Sequence, residues 1–228
     1  MLCQRCNEKP VNTIRRKTGK KVCKDCFVEG FLIEVGHTLI HELQTKHKVM
    51  LRGQKIAIGA SGGKDSTVMI DVLYELNKRL NLGLNLELVS IDEGIHGYRD
   101  DSLKAVYKTA EKLNLPLKVL SYDQLYGWTM DRIVGEIGNK NNCTYCGVLR
   151  RQSLDKGSHM INADVVCLGH NADDVAETVL MNLLRGDLAR LQRCTSMVAA
   201  DDPNAIPRVK PLHQRFFGKK KKNKFEQL

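Results

Sequence analysis

The sequence predicts an α/β protein with a doubly wound parallel sheet and a small cysteine-rich segment in front of it. Short apolar runs alternate with stretches of helical periodicity from residue 55 onward. A glycine-rich loop, Ser61–Ser66, joins the first of these runs to the helix that follows. Strands that alternate with helices in this way form parallel sheets covered by helices on both faces.

The predicted elements follow one another in a regular order. Apolar runs predict the strands, and the segments between them repeat their apolar residues at a helical period. The predicted strands span residues 55–60, 84–92, 116–120, 164–169 and 209–212, and the predicted helices span residues 67–80, 98–114, 123–138, 147–161 and 172–185.

Four cysteines near the N-terminus predict a metal site. Cys3, Cys6, Cys23 and Cys26 form two CxxC pairs separated by 16 residues, a spacing typical of a structural zinc site with four thiolates. Residues 1–30 hold few large aliphatic side chains. Because such a segment cannot form a hydrophobic core alone, it needs a bound metal to stabilise its fold. Seven Lys and Arg and no acid lie between positions 9 and 24, which favours contact with nucleic acid over a purely structural knob.

The domain organisation follows from these patterns. We predict a zinc ribbon over residues 1–30, a linking helix over 31–52, a nucleotide-binding domain over 53–212 and a basic, disordered tail over 213–228. The net charge is +10, with the basic excess at the two ends, which suits a phosphate-rich partner as well as plain solubility. The chain has no apolar run of roughly 20 residues and no signal-peptide pattern, so we expect a cytoplasmic protein with no membrane partner.

The loop Ser61–Ser66 carries the pattern of a pyrophosphate-binding site. Gly62 and Gly63 let the backbone approach a phosphate closely, and the start of the following helix supplies free N–H donors. Lys64 adds positive charge, and the loop lacks the spacing of a Walker A motif. The predicted nucleotide contacts in and before the loop are Gly59, Ala60, Ser61, Gly62, Gly63, Lys64, Asp65 and Ser66.

Two further strand ends and a third CxxC pair carry polar groups. Asp92 ends the second predicted strand, where a ligand site is expected, although by itself this residue is better explained by a plain acidic turn. Gly169, Asp173 and Asp174 follow the fourth strand, and the two carboxylates suit Mg²⁺ beside a triphosphate. The pair Cys143 and Cys146 is followed by Arg150 and Arg151, and nearby cations lower a thiol pKa; a second zinc site or an idle pair is the alternative. The first of these arginines, Arg150, is also a predicted nucleotide contact.

Five motifs together resemble one family. They are the N-terminal CxxC ribbon, SGGKDS (61–66), IDEGI (91–95), CTYCGVLRR (143–151) and GHNADDVAET (169–178). Their order is similar to that of the PP-loop ATP pyrophosphatases, which share an adenine nucleotide alpha hydrolase-like fold. Within that superfamily, the motifs resemble the cytoplasmic tRNA 2-thiolation proteins that modify the wobble uridine.

The resemblance implies an ATP-dependent tRNA sulfurtransferase that adenylates the C2 carbonyl and replaces AMP with sulfur. It implies that Ile91 lies by the adenine, that Asp92 and Lys64 act at the reaction centre, and that Cys143 and Cys146 deliver sulfur. The cysteines would do so either by ligating a [4Fe–4S] cluster with a third, downstream cysteine or through a persulfide. A ubiquitin-like sulfur-carrier protein and a paralogous thiolation subunit are the implied partners, besides tRNA.

The resemblance ends near Leu212, and a third cluster cysteine is not visible in the sequence. Cys167 lies in a predicted strand and is expected in the core, and nothing places Cys194 near Cys143. We therefore expect an intact adenylating half and an incomplete sulfur-transfer half. An inactive nucleotide- and tRNA-binding scaffold and a thiolase of another tRNA base are the alternative functions.

Overall fold

The computed structural model describes residues 1–15, 18–42, 52–97, 99–138, 142–194, 196, 198–199 and 206–213. The predicted tail after His213 and the second half of the predicted linking helix lie outside the described residues. No helix in the described part of the chain has both the length and the apolar character needed to cross a membrane.

The cysteine-rich segment contains a short hairpin followed by a helix. Strand β1 (Thr13–Ile14) pairs antiparallel with β2 (Lys21–Val22). Helix α1 (Lys24–His37) begins directly after Cys23 and continues into a π-helical segment, Thr38–Glu42. The helix therefore starts earlier than the predicted linking helix at residue 31, because the second CxxC pair itself forms its N-terminus.

The main domain contains a six-stranded sheet, which confirms the predicted fold class. The strands are β3 (Lys55–Gly59), β4 (Asn85–Asp92), β5 (Leu117–Ser121), β6 (Val165–Cys167), β7 (Val198–Ala199) and β8 (Arg208–Val209). Their order across the sheet is β5-β4-β3-β6-β8-β7, and all neighbouring pairs are parallel except β7 and β8. The edge strand β7 was not predicted, since two residues are too few to produce a periodic pattern.

Helices connect these strands and cover both faces of the sheet. Ile56 and Ile58 of β3 point into the larger core, which includes residues of the helices before and after that strand. Ala57, between them, points into a smaller core on the opposite face with Leu154. The helices are α2 (Lys64–Leu80), α3 (Arg99–Leu113), α4 (Tyr122–Tyr126), α5 (Met130–Ile137), α6 (Asn142–Met160), α7 (Ala172–Leu184) and α8 (Leu188–Cys194).

The structure corrects two helix predictions. The single helix predicted over residues 123–138 is two helices, because Gly127 ends α4 with φ +68° and Thr129 caps the start of α5. The helix predicted from residue 147 begins at Asn142 instead. Cys143 and Cys146 therefore lie in the first turns of α6 rather than in a loop before it.

We predict that alanine has opposite effects at two glycines of α6. A Cβ on buried Gly157 would lie 2.8 Å from both Val89 Cγ1 and Leu120 Cδ1, whereas one on exposed Gly147 meets nothing within 4 Å. Gly157→Ala should lower the free energy of unfolding by about 1–3 kcal/mol through overpacking. Gly147→Ala should raise it by about 0.5–1 kcal/mol through helix propensity. Urea unfolding of both variants measures the difference, and equal effects would contradict the packing of α6 on the sheet.

Candidate active site

An open cleft of about 340 Å³ lies at the carboxyl ends of β3, β4 and β6. Strand β3 has β4 on one side and β6 on the other, so the strand order reverses its direction at β3. The cleft therefore lies at a topological switch point of the sheet. Parallel sheets bind ligands at such points. The cleft is lined by Gly59, Ala60, Ser61, Asp65, Ser66, Val89, Ser90, Ile91, Asp92, Glu93, Ile95, Arg99, Ser102, Leu103, Arg150, Leu154, Leu168, Gly169, His170 and Asp174.

Hydrogen bonds within the PP-loop, Ser61–Ser66, fix its shape. Ser66 Oγ donates to Gly63 O at 2.9 Å and lies 3.0 Å from Ser61 Oγ. Gly63 is the N-cap residue of α2, and no side chain caps this helix start. The N–H groups of the first helical turn are therefore available to an anion such as a phosphate.

Two glycines of the site are required by close backbone contacts. Gly62 has φ +73°, and a Cβ there would lie 2.3 Å from Ser102 O. A Cβ on Gly169 would lie 3.0 Å from Ser66 N. The loop after β3 is thus held between α3 and the loop after β6 with no space for side chains at these positions.

Acidic residues converge beside the PP-loop. Burial raises the pKa of Asp65, and the carboxylates of Asp174 and Asp173 raise it further, against the opposing effects of Lys64 and Asn171. Asn171 Oδ1 accepts from the backbone N–H of Asp173 at 2.8 Å, so it holds these acids at the N-terminus of α7. Negative charge this dense suits a divalent cation.

Asp92 and Ile91 line the cleft at the carboxyl end of β4. The Asp92 side chain is only 14% exposed, and its Oδ1 accepts from Gly94 N at 2.9 Å. Arg99 Nε lies 3.5 Å from Asp92 Oδ2. Sequence reasoning missed Arg99, because no motif of its own marks it.

A chain of polar contacts joins the cleft to the cysteine pair. Arg150 Nε forms an ion pair with Glu93 Oε1 at 2.6 Å, and Arg150 Nη2 donates to Cys146 Sγ at 3.3 Å. The fully buried Tyr122 donates its hydroxyl to Cys146 O at 3.1 Å. Sequence alone does not distinguish a tyrosine that only packs in the core from one that also donates a hydrogen bond.

The expectation that cations lower the thiol pKa is wrong for Cys146. Burial raises its pKa, and the carboxylate of Glu93 also raises it, which together outweigh the lowering by Arg150. This thiol is therefore more fully protonated at neutral pH than an ordinary cysteine. The sequence spacing predicts that Arg150 lies near Cys146, but it does not reveal that the Cys146 thiol is buried enough to raise its pKa.

The remaining cysteines of the main domain do not join this pair. Cys167 is fully buried in β6, and Cys194 is half-buried in α8, whereas Cys143 of the pair itself is exposed. Within the described residues, no third cysteine, histidine or acid comes close enough to this pair to form a metal site with it.

The four N-terminal cysteines do converge. The Sγ atoms of Cys3, Cys6, Cys23 and Cys26 all lie within 4.8 Å of one another, and Cys6 Sγ is 3.9 Å from Cys23 Sγ. A tetrahedral ion with metal–sulfur bonds of about 2.3 Å needs sulfurs about 3.8 Å apart. Burial raises the pKa of Cys3, but backbone hydrogen bonds from Cys6, Cys23 and Arg5 outweigh it and lower the pKa to about 6. The group can hold a metal ion.

The fold and cleft define an ATP-binding domain of the PP-loop class. The model of the PP-loop domain family matches residues 35–221, and the chain belongs to that family. The resemblance to the tRNA 2-thiolation proteins is confirmed as well. Cytoplasmic tRNA 2-thiolation protein 1 of Drosophila mojavensis is 58% identical over 198 residues, and that of Danio rerio is 56% identical over 211 residues.

The chain spans 56% and 60% of the length of these two relatives, which cover 87% and 92% of it. Among solved structures, it is similar to the U34-tRNA thiolase NcsA from Methanococcus maripaludis with its [4Fe–4S] cluster. The TM-score is 0.80 at 34% identity, over 95% of this chain and 68% of that one.

We predict that Gly62→Ala weakens ATP binding roughly tenfold or more, because a left-handed alanine costs about 1–3 kcal/mol and its Cβ collides with Ser102 O. Gly83→Ala is the matched control, since Gly83 has φ +65° but nothing within 4 Å of its Cβ position. Isothermal titration with Mg·ATP should show unchanged affinity for the control. Equal loss in both variants would mean that general destabilisation of the domain, and not the close approach of Gly62 to Ser102, weakens ATP binding.

We also predict that two variants shift the titration of Cys146 in opposite directions. Glu93 raises and Arg150 lowers the pKa of this thiol, so Glu93→Gln should lower the pKa and Arg150→Gln should raise it. The rate of iodoacetamide alkylation of the Cys146 peptide, followed by mass spectrometry against pH, reports the midpoint. Shifts in the same direction would contradict the assigned contacts.

Proposed function

We propose that this chain carries the ATP-binding and sulfur-transfer residues of a tRNA sulfurtransferase that converts the wobble uridine to 2-thiouridine in the cytoplasm. One observation carries the proposal: Arg150 lines the cleft beside the PP-loop and donates to Cys146 Sγ at 3.3 Å. An ATP-activated base in this cleft would therefore lie beside a cysteine pair. The names of the relatives and of the structural neighbour support the same substrate.

In the first step, the PP-loop would bind the β- and γ-phosphates of ATP. The C2 oxygen of uridine attacks the α-phosphorus, the bond to the bridging oxygen breaks, and pyrophosphate leaves. Lys64 and the free N–H groups of α2 stabilise the charge that develops on the departing phosphate. Asp65, Asp173 and Asp174 would hold Mg²⁺ on the same phosphates. Ile91 would contact the adenine, and Asp92 would position the reacting groups through Arg99.

In the second step, sulfur delivered by Cys143 and Cys146 attacks C2. The bond from C2 to the former carbonyl oxygen breaks, and AMP leaves with that oxygen. A [4Fe–4S] cluster, when bound, would supply an open iron site for sulfide, with its third thiolate from outside the described residues. In the persulfide alternative, the carrier thiocarboxylate would attack a Cys143–Cys146 disulfide, and hydrolysis of the acyl group would leave a persulfide on one cysteine and a free thiol on the other. The outer sulfur attacks C2, and the free thiol then attacks the inner sulfur, which releases 2-thiouridine and re-forms the disulfide without a net oxidant.

The appendages would serve the substrate and partners. The four N-terminal cysteines would hold Zn²⁺, and the basic residues between them would contact tRNA phosphates. A ubiquitin-like carrier with a terminal thiocarboxylate would supply sulfur, and a paralogous subunit would complete the assembly. We keep the proposed bounds of 1–30, 31–52, 53–212 and 213–228 for the ribbon, linker, catalytic domain and tail.

The test separates the two steps with two variants. Lys64→Ala should lower the release of AMP and pyrophosphate from ATP and tRNA by roughly 100- to 1,000-fold, the usual cost of losing one charge-stabilising donor. Cys146→Ser should retain AMP release and abolish 2-thiouridine, as measured by nucleoside mass spectrometry. Binding of ATP and tRNA by the wild-type chain without AMP release would contradict the enzyme and favour the scaffold function. Thiolation of another base would contradict the wobble-uridine assignment.

A further inference from the structure

Trp128 lies in the turn between α4 and α5, where the predicted single helix is broken. It is the one tryptophan of the chain, and 39% of its surface is exposed. We propose that Trp128, backed by Arg132, is a stacking site for an unpaired base of the RNA substrate next to the reacting uridine. This inference rests on the proposed function and adds a binding residue outside the cleft described above.

The turn that carries Trp128 is attached to the wall of the cleft. The backbone N–H of Met130 donates to Glu93 O at 2.9 Å, and that of His96 donates to Asp131 Oδ2 at 2.8 Å. Thr129 packs closely on Gly94, since a Cβ added to Gly94 would lie only 2.6 Å from Thr129 Cβ. Trp128 is therefore only two residues from Met130, which is hydrogen-bonded to the cleft residue Glu93. We infer that a nucleotide next to the one bound in the cleft would reach the Trp128 ring.

The indole is held in place by a cation. Arg132 Cζ lies 4.4 Å from the centroid of the Trp128 ring, and Arg132 Nη1 donates to Gly127 O at 3.5 Å. The guanidinium thus covers one face of the ring and keeps a positive charge beside it. An aromatic ring next to an arginine is the combination on which proteins stack single-stranded bases, with the cation attracting the adjacent phosphate.

The two neighbouring tyrosines have structural roles instead. Tyr122 is fully buried and holds Cys146 O. The hydroxyl of Tyr126 lies 3.3 Å from Ser153 Oγ, and Lys156 lies over its ring at 4.4 Å. Trp128 is instead 39% exposed, with the Arg132 guanidinium over its ring. A protein surface could also cover it, but the arginine and the adjoining cleft favour RNA.

The single tryptophan makes the test direct. The full chain is titrated with an anticodon stem–loop RNA that carries the wobble uridine, and the intrinsic fluorescence of Trp128 is followed. Filter binding of the labelled RNA measures affinity independently of fluorescence. The variants are Trp128→Leu, which removes the ring, Trp128→Phe, which keeps a stacking surface, and Tyr107→Leu, a control on α3 at a residue 55% exposed and not lining the cleft.

We expect saturable quenching by the stem–loop and little by a fully paired RNA duplex. Trp128→Leu should weaken binding roughly 5- to 100-fold, the range for stacking on one base, while Trp128→Phe and Tyr107→Leu keep most of the affinity. Unchanged Mg·ATP affinity in Trp128→Leu shows that the variant is folded.

Two results overturn the stacking site alone: equal affinity of Trp128→Leu and wild type, or saturated binding without a change in fluorescence. Failure of the wild-type chain to bind the stem–loop in the filter assay overturns the proposed function together with it. The two failures are therefore distinguishable.

Discussion

The site depends on the close approach of two loops across the sheet. Gly169, after β6, meets the backbone of Ser66 at the start of α2, and Gly62 meets the backbone of Ser102 at the start of α3. Any side chain at either glycine would push these elements apart. The contact brings the free N–H groups of α2 and the carboxylates of α7 into one cleft, where the proposed phosphate and cation sites would adjoin each other.

Burial determines the electrostatics of the rest of the site. Asp65 is held beside Asp173 and Asp174, and the cost of confining these charges is what a bound cation would remove. On the other side of the cleft, Glu93 pairs with Arg150, so the arginine is only partly available to stabilise a Cys146 thiolate. The cysteine is thus protected from ionisation until its surroundings change. An anion bound at Arg150 would raise the pKa of Cys146 further, because it would offset the positive charge that favours the thiolate.

Much of the fold could be predicted, because the strands of a parallel sheet are apolar runs separated by helical periods. The PP-loop, the end of β4 and the acids after β6 lie where the sequence placed them. The helix over residues 123–138 was wrong, because a glycine in the left-handed region and a threonine cap outweighed the apolar periodicity around them. The predicted start of α6 at residue 147 was also wrong, since the CTYC segment (143–146) was assigned to a loop but is helical. Neither the raised pKa of Cys146 nor the contact of Tyr122 with it could be read from sequence, since both depend on tertiary burial. The roles of the site residues stay predictions.

Under the proposed function, the C2 oxygen of the wobble uridine becomes a phosphate oxygen of AMP. The most direct measurement uses tRNA with ¹⁸O at C2 of that uridine, unlabelled ATP and a sulfur donor, followed by mass spectrometry of the released AMP. We expect one ¹⁸O in AMP for each 2-thiouridine formed. Thiolation with unlabelled AMP would contradict it, because the oxygen would then have left by a route that does not pass through an adenylated base.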